Sequence, residues 1–140
     1  MLFDVDDFKA FNDHYGHPEG DDALRRVAQA IAESCRTQDT AYRYGGEEFL
    51  VLLRREGIDG AIIAAERMRT AVESCRIPHR LSPHGVVTVS AGVAACSEAT
   101  LTRLGLLDVT DQALYQAKSA GRNVVAGAAM PRLQENAKAP

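Results

Sequence analysis

The sequence predicts one α+β domain, a mainly antiparallel sheet with helices covering one or both faces. Three observations carry that prediction. The elements run strand, helix, hairpin, helix, strand, helix, short strand, an order that suits such a sandwich. The hairpin itself is marked by two β-prone runs flanking Gly45-Gly46. And 140 residues, 46% hydrophobic and 25% charged, make a chain large enough to bury its own core without disulfides.

Each element has its reason. Leu2 to Val5 reads as the end of a strand running into acidic residues. Gly16-His17-Pro18-Glu19-Gly20 reads as a loop, and Asp21-Asp22 then open a helix, where carboxylates suit the free N–H groups. Leu24, Val27, Ala28 and Ile31 give that helix an apolar stripe at spacings of three and four, ending near Arg36. In the hairpin, Gly45 and Gly46 are expected to supply the positive φ of a primed turn. Ala61, Ile62, Ala65, Met68 and Val72 form a second helical stripe, and the prolines of Arg76 to Gly85 mark a loop. Val86 to Val93 is β-branched and reads as a strand. A third helix is expected from Leu101 through Ala113, Leu114 and Ala117 to a cap at Gly121. Val124-Val125 suggests a short last strand, and Gly127 to Pro140 a frayed tail.

Composition narrows the function. A net charge of −3 and a pI near 5.8 argue against a generic grip on a nucleic-acid polymer or an anionic membrane. Cys35, Cys75 and Cys96 are scattered and odd in number, which fits a reducing compartment and gives no zinc spacing. No apolar run is long enough to span a bilayer, and no signal peptide is visible, so the expected location is the cytoplasm.

Asp4, Asp6 and Asp7 lie at a strand end, and Glu47 and Glu48 at the hairpin tip. If the first strand lies beside the hairpin, the two acidic clusters converge. Two carboxylates about 4 Å apart repel by roughly 4 kcal/mol at an effective dielectric of 20, so such a site binds a cation or holds a proton. Oxygen ligands favour a hard ion such as Mg²⁺, Mn²⁺ or Ca²⁺. By spacing alone these acids also read as solvated strand-end residues. An EF-hand fails, since Phe8 and Lys9 stand where that loop needs an oxygen ligand and glycine. No P-loop, GxGxxG, HExxH or GxSxG occurs. Lys9, Lys118 and Arg122 are cations available for phosphate. Lys118 and Arg122, four apart, are expected to share a helix face, where they also simply suit a helix C-terminus. Carboxylates with Lys and Arg are the minimal kit for metal-assisted nucleotidyl transfer.

Together these residues resemble the GGDEF family of diguanylate cyclases. The signature stands as Gly45-Gly46-Glu47-Glu48-Phe49. Upstream are Asp4-Val5-Asp6-Asp7-Phe8-Lys9-Ala10-Phe11-Asn12-Asp13, Tyr15-Gly16-His17 and Gly20-Asp21. Val89-Ser90-Ala91-Gly92-Val93 looks like the family's core strand, and Asp111 to Asn123 like its closing motif. The similarity covers residues 1–126 as one domain, with 127–140 as a tail.

The resemblance implies a palm-type, ferredoxin-like sheet flanked by helices, as in nucleotidyl cyclases. It implies condensation of two GTP into cyclic di-GMP across a homodimer, with Mg²⁺ as cofactor and Mn²⁺ as a possible substitute. By position, Asp4, the Val5 carbonyl and Glu47 would hold the metal. Glu47, with Glu48 beside it, would act in proton removal, and Lys9 would neutralise phosphate charge. Asn12, Asp21 and His17 would meet the guanine. Phe8, the backbone of Asp7, Gly45, Gly46, Lys118 and Arg122 would complete the substrate contacts. Arg36-Thr37-Gln38-Asp39 stands where the family writes its inhibitory RxxD product site, with Arg67 as a second arginine. Asp7 departs from the bulky residue usual at its position. The family's helical lead-in has no counterpart here, and a sensor or receiver domain is expected upstream. The alternative from a different class is a non-catalytic receptor for cyclic di-GMP or GTP.

Overall fold

The computed structural model describes residues 1–96 and 103–129. The strands are β1 (Leu2–Val5), β2 (Thr40–Arg43), β3 (Glu48–Leu52), β4 (Val89–Ala95) and β5 (Val125–Ala129). The helices are α1 (Phe8–Tyr15), α2 (His17–Ser34), α3 (Ile58–Ser74) and α4 (Arg103–Ser119). They form an α+β fold around a five-stranded sheet of order β2-β3-β1-β4-β5. β1 is antiparallel to both β3 and β4, β2 is antiparallel to β3, and only the β4–β5 pair is parallel.

The central place of β1 explains its sequence. Leu2, Phe3 and Val5 are buried on both faces of a strand with two neighbours. Phe3, Val5, Phe49, Val51, Val89, Ala91 and Val93 pack with Leu24, Val27 and Ile31 of α2 and Ala65, Met68 and Val72 of α3 in the main core. The opposite face carries α4. There Gly92 of β4 permits close contact, because a Cβ would lie 2.2 Å from the Thr110 carbonyl oxygen and 2.4 Å from the Leu114 nitrogen.

Several expectations are corrected. Residues 16–20 are not a loop: α2 begins at His17, with Pro18 tolerated in its first turn, and only Gly16, at φ 90°, separates it from the helix before. That preceding helix, α1, was not anticipated, although Phe8, Phe11 and Tyr15 stand at helical spacing. Asp21 and Asp22 therefore lie in the second turn of α2 rather than at its start.

The Gly45-Gly46 turn is not built on positive φ, which neither glycine adopts. The tip is wider, with Arg43 paired to Phe49 as the last register pair. The Arg43 guanidinium donates to the carbonyls of Gly45 (3.3 Å) and Gly46 (2.7 Å), so a side chain holds the turn.

α4 ends at Ser119, and Arg122 follows in a left-handed turn (φ 67°), so Lys118 and Arg122 do not share a helix face. The N–H groups of Gly121 and Arg122 return to the carbonyls of Lys118 and Ala117, a Schellman closure at the expected Gly121. β5 runs to Ala129, past the expected start of a tail at Gly127. The helix start expected at Leu101 and the remaining tail, 130–140, lie outside the described residues.

Candidate active site

The two acidic clusters converge. Asp4 pairs in register with Glu48 of β3 on one side and Ser90 of β4 on the other. The Val5 N–H donates to the Glu47 carbonyl at 3.1 Å, stitching the hairpin tip to the end of β1. Glu47 and Glu48 are held above the usual carboxylate range, first by burial and next by the negative charge of Asp4. Lys118 opposes that shift in both.

The Lys118 ammonium pairs with Asp4 and lies 3.3 Å from Asp6. Among the described residues no three His, Cys, Asp or Glu side chains already enclose a metal position. The donor chemistry fits Mg²⁺ all the same. Asp4, Glu47 and the Val5 carbonyl are hard oxygen donors, and the two glutamates carry negative charge that one lysine does not balance.

Asp6 has a separate role. It is 1% exposed, yet its carboxylate accepts from Thr88 Oγ1 (2.8 Å), Ser90 Oγ (2.6 Å) and the Asn123 N–H (3.0 Å). With Lys118 these partners satisfy a buried charge and pin β1, β4 and the end of α4 together. Asn123 in turn meets Arg69 (2.7 Å) and Glu73 (3.2 Å) of α3.

A second wall comes from α1 and α2. Asp7 caps α1 in the left-handed region (φ 52°, ψ 34°), a conformation that Asp adopts more readily than most residues. Its carboxylate lies 3.4 Å from the Arg122 guanidinium. Phe8 is buried, while Lys9, His17 and Asp21 are exposed. Asn12 Oδ1 is buried without a hydrogen-bond partner among the described residues. Gly20 lets α2 approach it, since a Cβ there would lie 1.8 Å from Asn12 Oδ1. An amide with an unpaired acceptor thus sits one residue across from the Asp21 position. Gly46 leaves open space above the hairpin tip, while a Cβ on Gly45 would come within 2.9 Å of Glu48 Oε2.

The RxxD residues form their own cluster at the end of α2. The Arg36 N–H donates to Asp39 Oδ2 at 2.8 Å, and the Asp39 N–H to the Arg36 carbonyl at 3.0 Å. The Arg36 guanidinium pairs with Glu56 at 3.4 Å. Arg67 of α3 donates to the Ser34 carbonyl at 3.0 Å, which places all three expected residues in one neighbourhood. Thr88, Glu56 and His79 were not singled out in the sequence. Ser90 lies in the core-strand motif and Asn123 ends the closing motif, but nothing in their spacing reveals that both bind Asp6.

Residues 1–124 match the family model described as "Diguanylate cyclase, GGDEF domain". Diguanylate cyclase A of Treponema denticola is 40% identical over 125 residues, covering 89% of this chain and 33% of that protein. The response regulator PleD of Caulobacter vibrioides is 41% identical over 133 residues, covering 92% of this chain and 29% of that protein. The chain thus spans about a third of the length of these curated relatives. Among solved structures, the GGDEF domain of DgcB from Caulobacter crescentus, in complex with c-di-GMP, is similar with a TM-score of 0.80 at 35% identity, covering 90% of this chain and 74% of that one. The active GGEEF domain of a diguanylate cyclase from Vibrio cholerae gives 0.75 at 28% identity, covering 94% of this chain and 81% of that one. With its acidic pair, hairpin and helical wall in the arrangement described above, the chain belongs to the GGDEF domain family.

Proposed function

We propose that this chain is a diguanylate cyclase domain that condenses two GTP into cyclic di-GMP and two pyrophosphates. The observation that carries the reading is the convergence of Asp4 and Glu47 under Lys118, beside a wall with an unpaired Asn12 carbonyl. Asp4, Glu47 and the Val5 carbonyl would hold Mg²⁺. When bound there, the ion lowers the pKa of the 3′-hydroxyl and steadies the pyrophosphate leaving group. Glu47, its pKa raised by burial, accepts the hydroxyl proton, with Glu48 adding to the local negative field. Lys9, Lys118 and Arg122 neutralise the phosphates.

Asn12 and Asp21 accept hydrogen bonds from guanine N–H groups, with His17 at the rim and Phe8 beneath. One site holds one GTP, so two copies of the chain face each other. Each 3′-oxygen forms a bond to the partner's α-phosphorus as the bond to pyrophosphate breaks, and two such steps close the ring. Cyclic di-GMP returns to Arg36, Asp39 and Arg67, where guanidinium forks suit its phosphates and guanine edges, and it inhibits its own synthesis. The reaction belongs in the cytoplasm, where GTP is found. No described helix is long and apolar enough to cross a membrane.

The test is incubation of the chain with GTP and Mg²⁺, with cyclic di-GMP and pyrophosphate quantified by chromatography. Formation of both, abolished by Glu47→Gln, is the expected result. Tight binding of cyclic di-GMP with no turnover would instead make the chain a receptor module.

A further inference from the structure

The loop between α3 and β4 is closely tied down. Pro78 bridges to Val86, the His79 N–H donates to the Gly85 carbonyl (3.0 Å), and the Val87 N–H to the Ile77 carbonyl (2.8 Å). At its centre His79 is 1% exposed. Its ring stands edge-on to Phe11 at 5.2 Å, and Tyr15 lies beyond at 6.4 Å. His79 Nε2 lies 3.1 Å from the backbone carbonyl oxygen of Asp7. A carbonyl can only accept, so Nε2 carries the hydrogen of this bond. The other ring nitrogen, Nδ1, is buried with no partner among the described residues. Phenylalanine would fill the same space against Phe11 and Tyr15 without an orphaned nitrogen. What the imidazole adds is the single bond to Asp7.

Asp7 is the left-handed joint between β1, which carries Asp4, and α1, which carries Lys9 and Asn12. Its carbonyl also accepts the Phe11 N–H at 3.0 Å, the first bond of α1. The outer bond from His79 therefore fixes the entry angle of a helix whose first N–H groups have no intrahelical partner. We infer that His79 is a positioning residue, holding the Asp7 turn so that the first turn of α1 and Lys9 meet the nucleotide phosphates. The inference rests on the reading of this site as a GTP site.

Three variants of the full chain test it. His79→Phe keeps the ring packing and His79→Asn keeps a shorter amide, and neither reaches the Asp7 carbonyl. His79→Gln places an amide N–H near the Nε2 position. In equilibrium titrations with GTP and Mg²⁺, His79→Phe and His79→Asn are expected to weaken binding by up to about fivefold, the full value being reached when binding must restore the turn that this one hydrogen bond holds in the free chain. His79→Gln should stay within about twofold of the unchanged chain. Cyclic di-GMP binding at Arg36 and Asp39 should not move in any of them. If His79→Phe fails to fold, the contrast between His79→Asn and His79→Gln carries the test. GTP affinity equal to the unchanged chain's in a folded variant lacking the bond overturns the inference. So does a loss in His79→Gln as large as in the other two. Failure of the unchanged chain to bind GTP overturns the site reading itself, and this inference falls with it.

Discussion

Asp4 of β1 stands directly across from Glu48 of β3, two acids in one cross-strand register. Like charges so placed destabilise a sheet. Glu47 and Glu48 have carboxyl groups raised above their ordinary value of 4.5, by burial first and by Asp4 second. The folded chain then binds protons that the unfolded chain has already lost, so its stability falls as pH rises from that ordinary value through the raised ones. A divalent cation held by Asp4 and Glu47 should reverse this. At ten times its Kd, a ligand of the folded state alone adds about 1.4 kcal/mol. Melting curves at neutral pH should shift upward with Mg²⁺, and the shift should shrink as pH falls through the raised values of the folded glutamates, above their ordinary 4.5. A melting temperature indifferent to Mg²⁺ at neutral pH would refute the metal site.

Replacing Glu47 by Gln separates chemistry from stability. On the proposed reading the variant lacks a metal ligand and a proton acceptor, so cyclic di-GMP formation should drop by at least about a hundredfold. It also removes an acid held raised by burial and by Asp4. Without metal, its melting temperature should therefore match or exceed that of the unchanged chain. A destabilised Glu47→Gln would mean that Glu47 is a structural residue instead.

Asp6 should behave in the opposite way. Its carboxylate is buried under four donors, including Lys118 and the Asn123 N–H. Asp6→Ala takes the acceptor from the buried Thr88 and Ser90 hydroxyls and from the Asn123 N–H, while Lys118 keeps Asp4, and each polar group left buried and unsatisfied costs about 1–3 kcal/mol. Exposed Lys9, three residues on in the sequence, should change stability by less than about 0.5 kcal/mol when made Ala, while activity falls. Urea denaturation of both variants distinguishes the two cases, and equal midpoints would contradict the assignment of Asp6 as a structural anchor.

Gly20→Ala probes the proposed guanine contact of Asn12. Alanine is about 1 kcal/mol better than glycine inside a helix, which offsets part of a packing strain of about 1–3 kcal/mol. The new Cβ meets Asn12 Oδ1, at 1.8 Å in the present geometry, so the Asn12 side chain must swing away. The chain should stay folded while GTP affinity falls roughly tenfold, a larger loss than one neutral hydrogen bond because the burial around Asn12 changes too. Calorimetry with GTP measures this directly, and unchanged affinity would remove Asn12 from the guanine site.

Much of this site was legible because its logic is local. The hairpin, the acids at its tip and those at the end of β1 are each contiguous in sequence, and their side-chain types announce charge. Their convergence needed only β1 to lie beside the hairpin. The contacts with Asp6 were not legible in the same way, since Thr88, Ser90 and Asn123 lie 82, 84 and 117 residues from it and meet only across the sheet. Helix α1 is hard to read from sequence for a different reason. Its apolar face consists of Phe8, Phe11 and Tyr15, embedded among Asn12, Asp13 and His14, polar residues of weaker helix preference. Tertiary packing of those rings, not propensity, decides its conformation. The Gly45-Gly46 turn shows a limit of local rules, because the Arg43 guanidinium supplies the restraint that positive φ was expected to give.

The ion pair of Arg36 with Glu56 gives the last test. Arg36 is the arginine expected to meet cyclic di-GMP, yet here its guanidinium lies 3.4 Å from the Glu56 carboxylate. To bind an anionic product Arg36 must leave that partner, so Glu56 competes with product. The Arg36 side chain is 61% exposed, which caps the worth of the pair at about 1 kcal/mol. Glu56→Gln should therefore tighten cyclic di-GMP binding by up to about fivefold and lower the product concentration that halves activity by the same factor. Arg36→Ala should abolish both effects while leaving the initial rate unchanged at low product. Salt provides an independent check, because screening weakens the Arg36–Glu56 pair and should narrow the gap between Glu56→Gln and the unchanged chain. If Glu56→Gln weakens product binding, Glu56 is a direct ligand of the product rather than its competitor.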